Sequence, residues 1–217
     1  MSDKPRWVEN SIMRLALGAT EVTLGTSGLN AVLRIALLDR YLDHLPPNDN
    51  KLAVPGTDFA ALWSGIMRMY GEHAARGVFR RWGTNFGRGG VDSRPTAKLL
   101  KPMLNFLPQP RRTHTVLEAF VREANNARGE PLHRLQEQAD VFIITFDDCL
   151  YCYGLRVAEP ICLTVTATIE TVLKWGTGHD YAVSETTCQA CGGEVCTFVI
   201  DKHPLHPDRK PGFHPAK

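Results

Sequence analysis

The sequence predicts an α+β protein, helical first and stranded afterwards, and three observations carry that reading. Apolar residues recur at helical spacing up to Arg128, short β-type runs replace them from Ala139 onward, and all six cysteines (149, 152, 162, 188, 191 and 196) fall after the change. Residues 6 to 44 read as helical, with Ile12, Leu15, Leu17 and Val22 ahead of the punctuation Gly25–Thr26–Ser27–Gly28, and a second periodic piece from Ala31 to Leu42. LPPNDNKLAVPGT (45 to 57) is a loop by its Pro, Asn and Gly content. Thr57 or Asp58 is positioned to cap a long helix to about Trp82, whose apolar stripe is Phe59, Leu62, Ile66, Tyr70, Ala74 and Val78. Residues 83 to 112, rich in Gly, Pro and Arg, read as irregular with a short helix near Leu99 to Leu107. Thr115 to Arg128 is amphipathic and ends at Gly129. Residues 141–146, 149–157, 179–186 and 195–201 read as strands. Cys162 to Leu173 fits two patterns: Leu163, Val165, Ala167 and Ile169 alternate as in a strand, whereas Cys162, Val165, Ile169 and Val172 share a helical face.

Composition narrows the function classes. The 217 residues are 43% hydrophobic and 22% charged, with a mean hydropathy of -0.19, which excludes disordered and fibrous chains. The net charge of +2 makes no case for nucleic acid. No apolar run reaches the ~18 residues of a membrane span, and MSDKPRW lacks a secretory h-region. A cytoplasmic, soluble protein is the expectation. No phosphate-binding loop, dinucleotide glycine pattern, helix-turn-helix or nucleophile motif stands out, so enzymatic activity is not the leading reading. Residues 76 to 112 hold nine Lys or Arg (76, 80, 81, 88, 94, 98, 101, 111 and 112) against one acid, Asp92. That segment suits an anionic partner, such as phosphate, carboxylate or a lipid surface, or is simply a solvated loop around a helix end.

The cysteines carry the sharpest signal. In Cys188-Gln-Ala-Cys191-Gly-Gly-Glu-Val-Cys196, two glycines allow the chain to reverse and gather thiolates within ~2.3 Å of one zinc ion. Glu185 can add a carboxylate oxygen, and Cys149, Cys152 and Cys162 are further candidates. Buried thiols acting as small hydrophobes and an iron–sulfur cluster are the competing readings; zinc is favoured.

Asp148-Cys-Leu-Tyr-Cys-Tyr-Gly154, then Cys162, then Glu185-x2-Cys188-x3-Gly192-x3-Cys196-x-Phe198 resemble the 4-vinyl-reductase-type domain. That domain occurs alone and as the sensory domain of phenol- and xylene-responsive transcription regulators. The resemblance is clear over residues 139 to 200. It implies that Cys162, Glu185, Cys188 and Cys196, spaced C-x22-E-x2-C-x7-C, hold one structural Zn2+, and that a helix begins at Cys162. Cys191 is not a family ligand. Cys149 and Cys152 match a pair common in stand-alone members, and Val165 and Thr168 stand where relatives often have glycine.

The implied fold is a small twisted antiparallel sheet with helices packed on it, related to haem nitric-oxide sensors and to vesicle-tethering (TRAPP) subunits. Residues 1 to 56 form an N-terminal helical segment or dimerisation arm, 57 to 201 the ligand-binding domain and 202 to 217 a flexible tail. An apolar chamber between helices and sheet is expected, with Trp63, Tyr70, His73, Trp82, Phe86, Phe142 and Phe146 as its candidate lining. Three functions follow from the resemblance: a zinc-stabilised sensor or carrier of a small hydrophobic or aromatic molecule, an accessory protein of tetrapyrrole synthesis holding a porphyrin-type intermediate, or an assembly module. A homodimer is the expected state.

Overall fold

A computed structural model describes residues 6–93 and 95–205, without the side chains of 95, 96 and 98–100. Arg94 and most of the expected flexible tail (206–217) lie outside the described residues. The order is β1 (Trp7–Glu9), α1 (Asn10–Ile35), β2 (Leu52–Pro55), α2 (Gly56–Asp92), α3 (Pro95–Leu104), α4 (Gln109–Arg128), β3 (His133–Glu137), β4 (Val141–Phe146), α5 (Leu163–Thr177), β5 (Val183–Thr187) and β6 (Cys196–Asp201). The α+β class holds, with antiparallel pairing throughout: β1 pairs β2, and a four-stranded sheet runs β3-β4-β6-β5. Among the described residues no helix is long and apolar enough to cross a membrane.

Alternation in VFIITF buries Phe142, Ile144 and Phe146 on one face of β4, and Cys196, Phe198 and Ile200 do the same on β6. That face carries the core. Strand β3 lies outside the expected strands because HRLQE is a polar edge strand with one buried side chain, His133. The strand expected at 149–157 is instead a set of turns that passes through Gly154 at φ 77. Cys162 to Leu173 resolves as helix, with Cys162 immediately before its first residue.

The long helix differs from its expected stripe for a local reason. Gly71 at φ 73, ψ 161 breaks α2, and Gly25 at φ 74 breaks α1 likewise. Phe59, Leu62, Trp63 and Ile66 are buried before the break, and the buried set after it is Ala75, Phe79, Trp82 and Phe86. The phase slips by one, so Ala74 is exposed where Ala75 is buried. The two halves meet through Trp63, whose ring lies 5.9 Å from Phe79 and 4.4 Å from Trp82. Helix α2 begins at Gly56, before the expected cap residues. Asp58 is buried instead, accepts the Tyr41 hydroxyl at 2.7 Å and pairs with Arg40.

The glycine-rich stretch after Trp82 is helical up to Asp92, against its propensity. Close packing on α5 is the reason. A Cβ on Gly83 would sit 2.2 Å from the Thr164 carbonyl oxygen, and one on Gly87 would sit 3.0 Å from Thr171 Cβ. The Thr168 hydroxyl donates to the Gly83 carbonyl at 3.1 Å across this seam. The small residues that permit the approach are therefore on α2, and α5 keeps Val165 and Thr168.

Gly83→Ala should destabilise the protein by roughly 1–3 kcal/mol, since the contacted atoms are backbone. Gly77→Ala, with nothing within 4 Å of the added carbon, should stabilise by about 0.5–1 kcal/mol. Urea unfolding of both variants checks the seam; equal effects would contradict it.

Candidate metal centre and ligand cavity

Five of the six cysteines converge where the turn after β4, the start of α5 and the β5–β6 connection meet. Cys149, Cys152, Cys162, Cys188 and Cys196 are buried and Cys191 is exposed. The Cys162 Sγ atom lies 3.6 Å from that of Cys149, 3.9 Å from that of Cys188 and 3.8 Å from that of Cys196. Cys152 Sγ is 3.5 Å from Cys196 Sγ.

Cys162, Glu185, Cys188 and Cys196 each place one ligand atom within 4.8 Å of the others, and this set can hold a metal ion. Glu185 Oε2 accepts the Cys162 backbone N–H at 2.8 Å, while its Oε1 is buried with no hydrogen-bond partner. An orphaned carboxylate oxygen beside buried sulfurs is a costly arrangement that a cation satisfies. Burial, and then the negative Cys188, push the Glu185 carboxyl up to about 8. Burial also raises the Cys149 and Cys162 thiols, whereas hydrogen bonds from the Cys152, Cys162 and Cys196 thiols lower Cys188. One negative sulfur surrounded by protonated ones is what five crowded thiols settle for without a cation; a thiolate-seeking divalent metal lets them ionise together. The donor set thus fits zinc.

Backbone and amide groups brace the cluster. Gln189 N–H points at Cys196 Sγ over 3.3 Å. The Gln189 side chain accepts the Cys149 N–H at 2.9 Å and donates to the Asp147 carbonyl at 2.8 Å, tying the turn after β4 to the β5–β6 connection.

The same turn reaches a cavity of about 610 Å³ bounded by all five helices, β1, β3 and β4. Asp148, Leu150 and Tyr151 line it between and beside the two cysteines of the turn, and Val165 lines it one helical turn beyond Cys162. The remaining wall is largely apolar and includes Ile12, Leu15, Phe59, Val116, Phe120, Val172 and Trp175. Gly87 and Gly90 leave room on the α2 side.

Of the candidate lining residues, Phe86 and Phe146 are at the wall. Trp63 and Trp82 are buried in the aromatic contact between the halves of α2, and Phe142 is buried under Lys202. Tyr70 is 37% exposed and His73 is exposed. Both flank the break at Gly71, which carries them off the face that periodicity assigns them.

One end of the cavity is polar. Asn125 Oδ1 accepts the His133 backbone N–H at 2.8 Å, and its Nδ2 donates to the His133 carbonyl at 3.0 Å. With Oδ1 so fixed, His133 Nδ1 at 2.8 Å must be the donor, which leaves Nε2 as the acceptor of a neutral ring. Burial, helped by Arg128, lowers the His133 pKa to about 4. Arg128 donates to the Asp148 carbonyl at 3.0 Å and to its carboxylate at 2.9 Å, yet its Nε–H is buried without a partner. Burial raises the Asp148 carboxyl, but bonds from Arg6 and Arg128 outweigh it and the group stays below the usual carboxylate range. Sequence reasoning misses this end because its residues come from α4, β3 and a turn, with no shared periodicity.

The basic segment is partly tied down within the fold. Arg76 donates to the Pro160 carbonyl at 3.1 Å, Arg80 pairs with Glu170 at 2.8 Å and Arg112 donates to the Asn105 carbonyl at 2.9 Å. Arg81, Arg88, Lys101 and Arg111 are exposed, and Lys101 lies over the Trp175 ring.

Because His133 stays neutral in the fold but titrates near 6.5 when unfolded, protonation favours the unfolded chain. Its contribution is intact above pH ~6.5 and is lost as pH falls toward ~4, reaching on the order of 3 kcal/mol. Wild type should therefore lose more stability between pH ~7 and ~4.5 than His133→Gln in urea unfolding; parallel profiles would contradict the assignment.

Comparison with known proteins places this arrangement. The model for the 4-vinyl-reductase-type domain matches residues 142–202, and no curated protein matches the chain. An H-NOX protein from S. oneidensis in the Fe(II)NO ligation state aligns with a TM-score of 0.59 at 12% identity, covering 88% of this chain and 97% of that one. An oxygen-binding H-NOX domain related to soluble guanylate cyclases gives 0.55 at 9% identity, over 93% and 99%. The phenol-responsive sensory domain of the transcription activator PoxR with phenol gives 0.52 at 16% identity, over 72% and 77%. The segment that holds the cysteine cluster thus matches the 4-vinyl-reductase-type domain, on a chain whose fold is shared with H-NOX domains and with the PoxR phenol-sensing domain.

Proposed function

We propose that this protein is a sensor or carrier domain that holds a small, largely apolar, aromatic molecule in the cavity of about 610 Å³, with one structural zinc at Cys162, Glu185, Cys188 and Cys196. The cavity carries the reading. Left as a dry void, a space of that volume would cost on the order of 15 kcal/mol, as much as the whole stability of a typical domain. Water gains little against walls of Phe, Leu, Val and Trp. An apolar ligand fills such a space favourably, at roughly 25 cal/mol per Å² of surface buried. The polar end supplies orientation: His133 Nε2 accepts and the unpartnered Arg128 Nε–H donates, which suits an aromatic ring bearing a hydroxyl or similar group. The likeness to a phenol-responsive sensory domain supports the same ligand class.

A second reading, an accessory of tetrapyrrole chemistry, draws on the volume of the cavity and on the H-NOX fold, one of whose structures is described in terms of haem distortion. Arg122 and Arg128, both at the wall, would then face the carboxylates of a porphyrin-type intermediate.

Titration of the intact protein with phenol and, separately, with protoporphyrin IX, followed by calorimetry and absorbance, separates these readings. Saturable phenol binding that Gly90→Phe weakens at least tenfold, with the fold retained, is the expected result. Gly90 lines the cavity, and its nearest foreign atom is 3.6 Å from an added Cβ, so a larger side chain there fills the space. Tight porphyrin binding without phenol binding favours the second reading, and no binding of either contradicts both.

A further inference from the structure

Cys149 and Cys152 belong to a second donor set. Cys149, Cys152, Cys162 and Cys196 are all buried, and their sulfurs all lie within 4.8 Å of one another. This set shares Cys162 and Cys196 with the Cys162–Glu185–Cys188–Cys196 set. A tetrahedral zinc with bonds of ~2.3 Å spaces its sulfurs ~3.8 Å apart. The separations are 3.6 Å for Cys149–Cys162, 3.5 Å for Cys152–Cys196 and 3.8 Å for the shared pair. Each lies within a few tenths of an ångström of a tetrahedral edge.

We propose that the cluster is a two-metal centre: one zinc bound by Cys149, Cys152, Cys162 and Cys196, a second by Cys162, Cys196, Cys188 and Glu185, with the Cys162 and Cys196 thiolates bridging. The proposal rests on the zinc site proposed above and extends it. Two tetrahedra sharing the Cys162–Cys196 edge use all six donors and leave each metal four-coordinate, as a closed structural site requires. With a single zinc in the Cys162–Glu185–Cys188–Cys196 set, two buried thiols would press against coordinated sulfurs with one weak partner in view, the Cys149 carbonyl 3.8 Å from Cys152 Sγ. The i, i+3 spacing of Cys149 and Cys152, in a turn clamped by Gln189, presents both sulfurs to the same pair of bridging atoms. Cys191, also three residues from a cluster cysteine, is exposed and lies in neither set. Spacing alone is therefore not what gathers these sulfurs.

The test is metal counting on the intact chain purified with zinc, by native mass spectrometry and elemental analysis, followed by exchange into 113Cd2+ for NMR. Two metals per chain are expected, with two cadmium resonances split by mutual coupling through the shared sulfurs. The pair Cys149→Ser/Cys152→Ser should keep one metal and lose the splitting. One zinc in the unaltered chain, still one in that double variant, and ready alkylation of Cys149 and Cys152 by iodoacetamide in the folded protein would overturn the second site and leave the first standing. No bound metal would overturn both. The wild-type count and the cadmium coupling decide the matter even if a variant fails to fold.

Discussion

The structure depends on keeping five sulfurs and a carboxylate together out of water. Cys149 and Cys152 come from the turn after β4, Cys162 from the threshold of α5, and Glu185, Cys188 and Cys196 from β5, its exit and the start of β6. Hydrophobic burial does not by itself select such an arrangement, because a carboxylate oxygen without a partner is costly inside a protein. A cation turns the same donors from a penalty into a tie between segments far apart in sequence, and metal affinity then becomes folding free energy.

What that tie holds in place is a wall. The turn with the two cysteines also contributes Asp148, Leu150 and Tyr151 to the cavity, and α5 contributes Val165 from the turn after Cys162. On the other side, Gly83 and Gly87 let α2 approach α5 closely, while Gly90 leaves open space. The Tyr151 ring lies 5.3 Å from both Phe59 and Trp63, so the turn also packs on the aromatic contact that joins the halves of α2. Metal cluster, cavity and helix packing are thus successive layers of one construction, joined through the turn that follows β4.

The sequence is most legible where chemistry demands particular atoms at particular gaps. Cys162, Glu185, Cys188 and Cys196 can be picked out because few residue types bind a soft divalent metal, and the structure brings them together. It is least legible where tertiary contact overrides local preference. Glycine argues against helix, yet residues 83 to 92 are helical because α5 needs the space. Periodicity carries Tyr70 and His73 onto the apolar face by running straight through Gly71, where the backbone turns. The polar end of the cavity leaves no signal, since His133, Arg128 and Asp148 lie on separate elements and meet only in the fold.

The claim that the metal cluster fixes the cavity wall is tested most directly by hydrogen exchange on the zinc-loaded and chelator-stripped protein. Stripping should accelerate exchange first and most strongly in amides 149–155 and 188–193, including the Cys149 N–H held by Gln189, with the amides shared by β4 and β6 responding less. Unchanged exchange in the 149–155 turn, or an even acceleration over the whole chain, would contradict it.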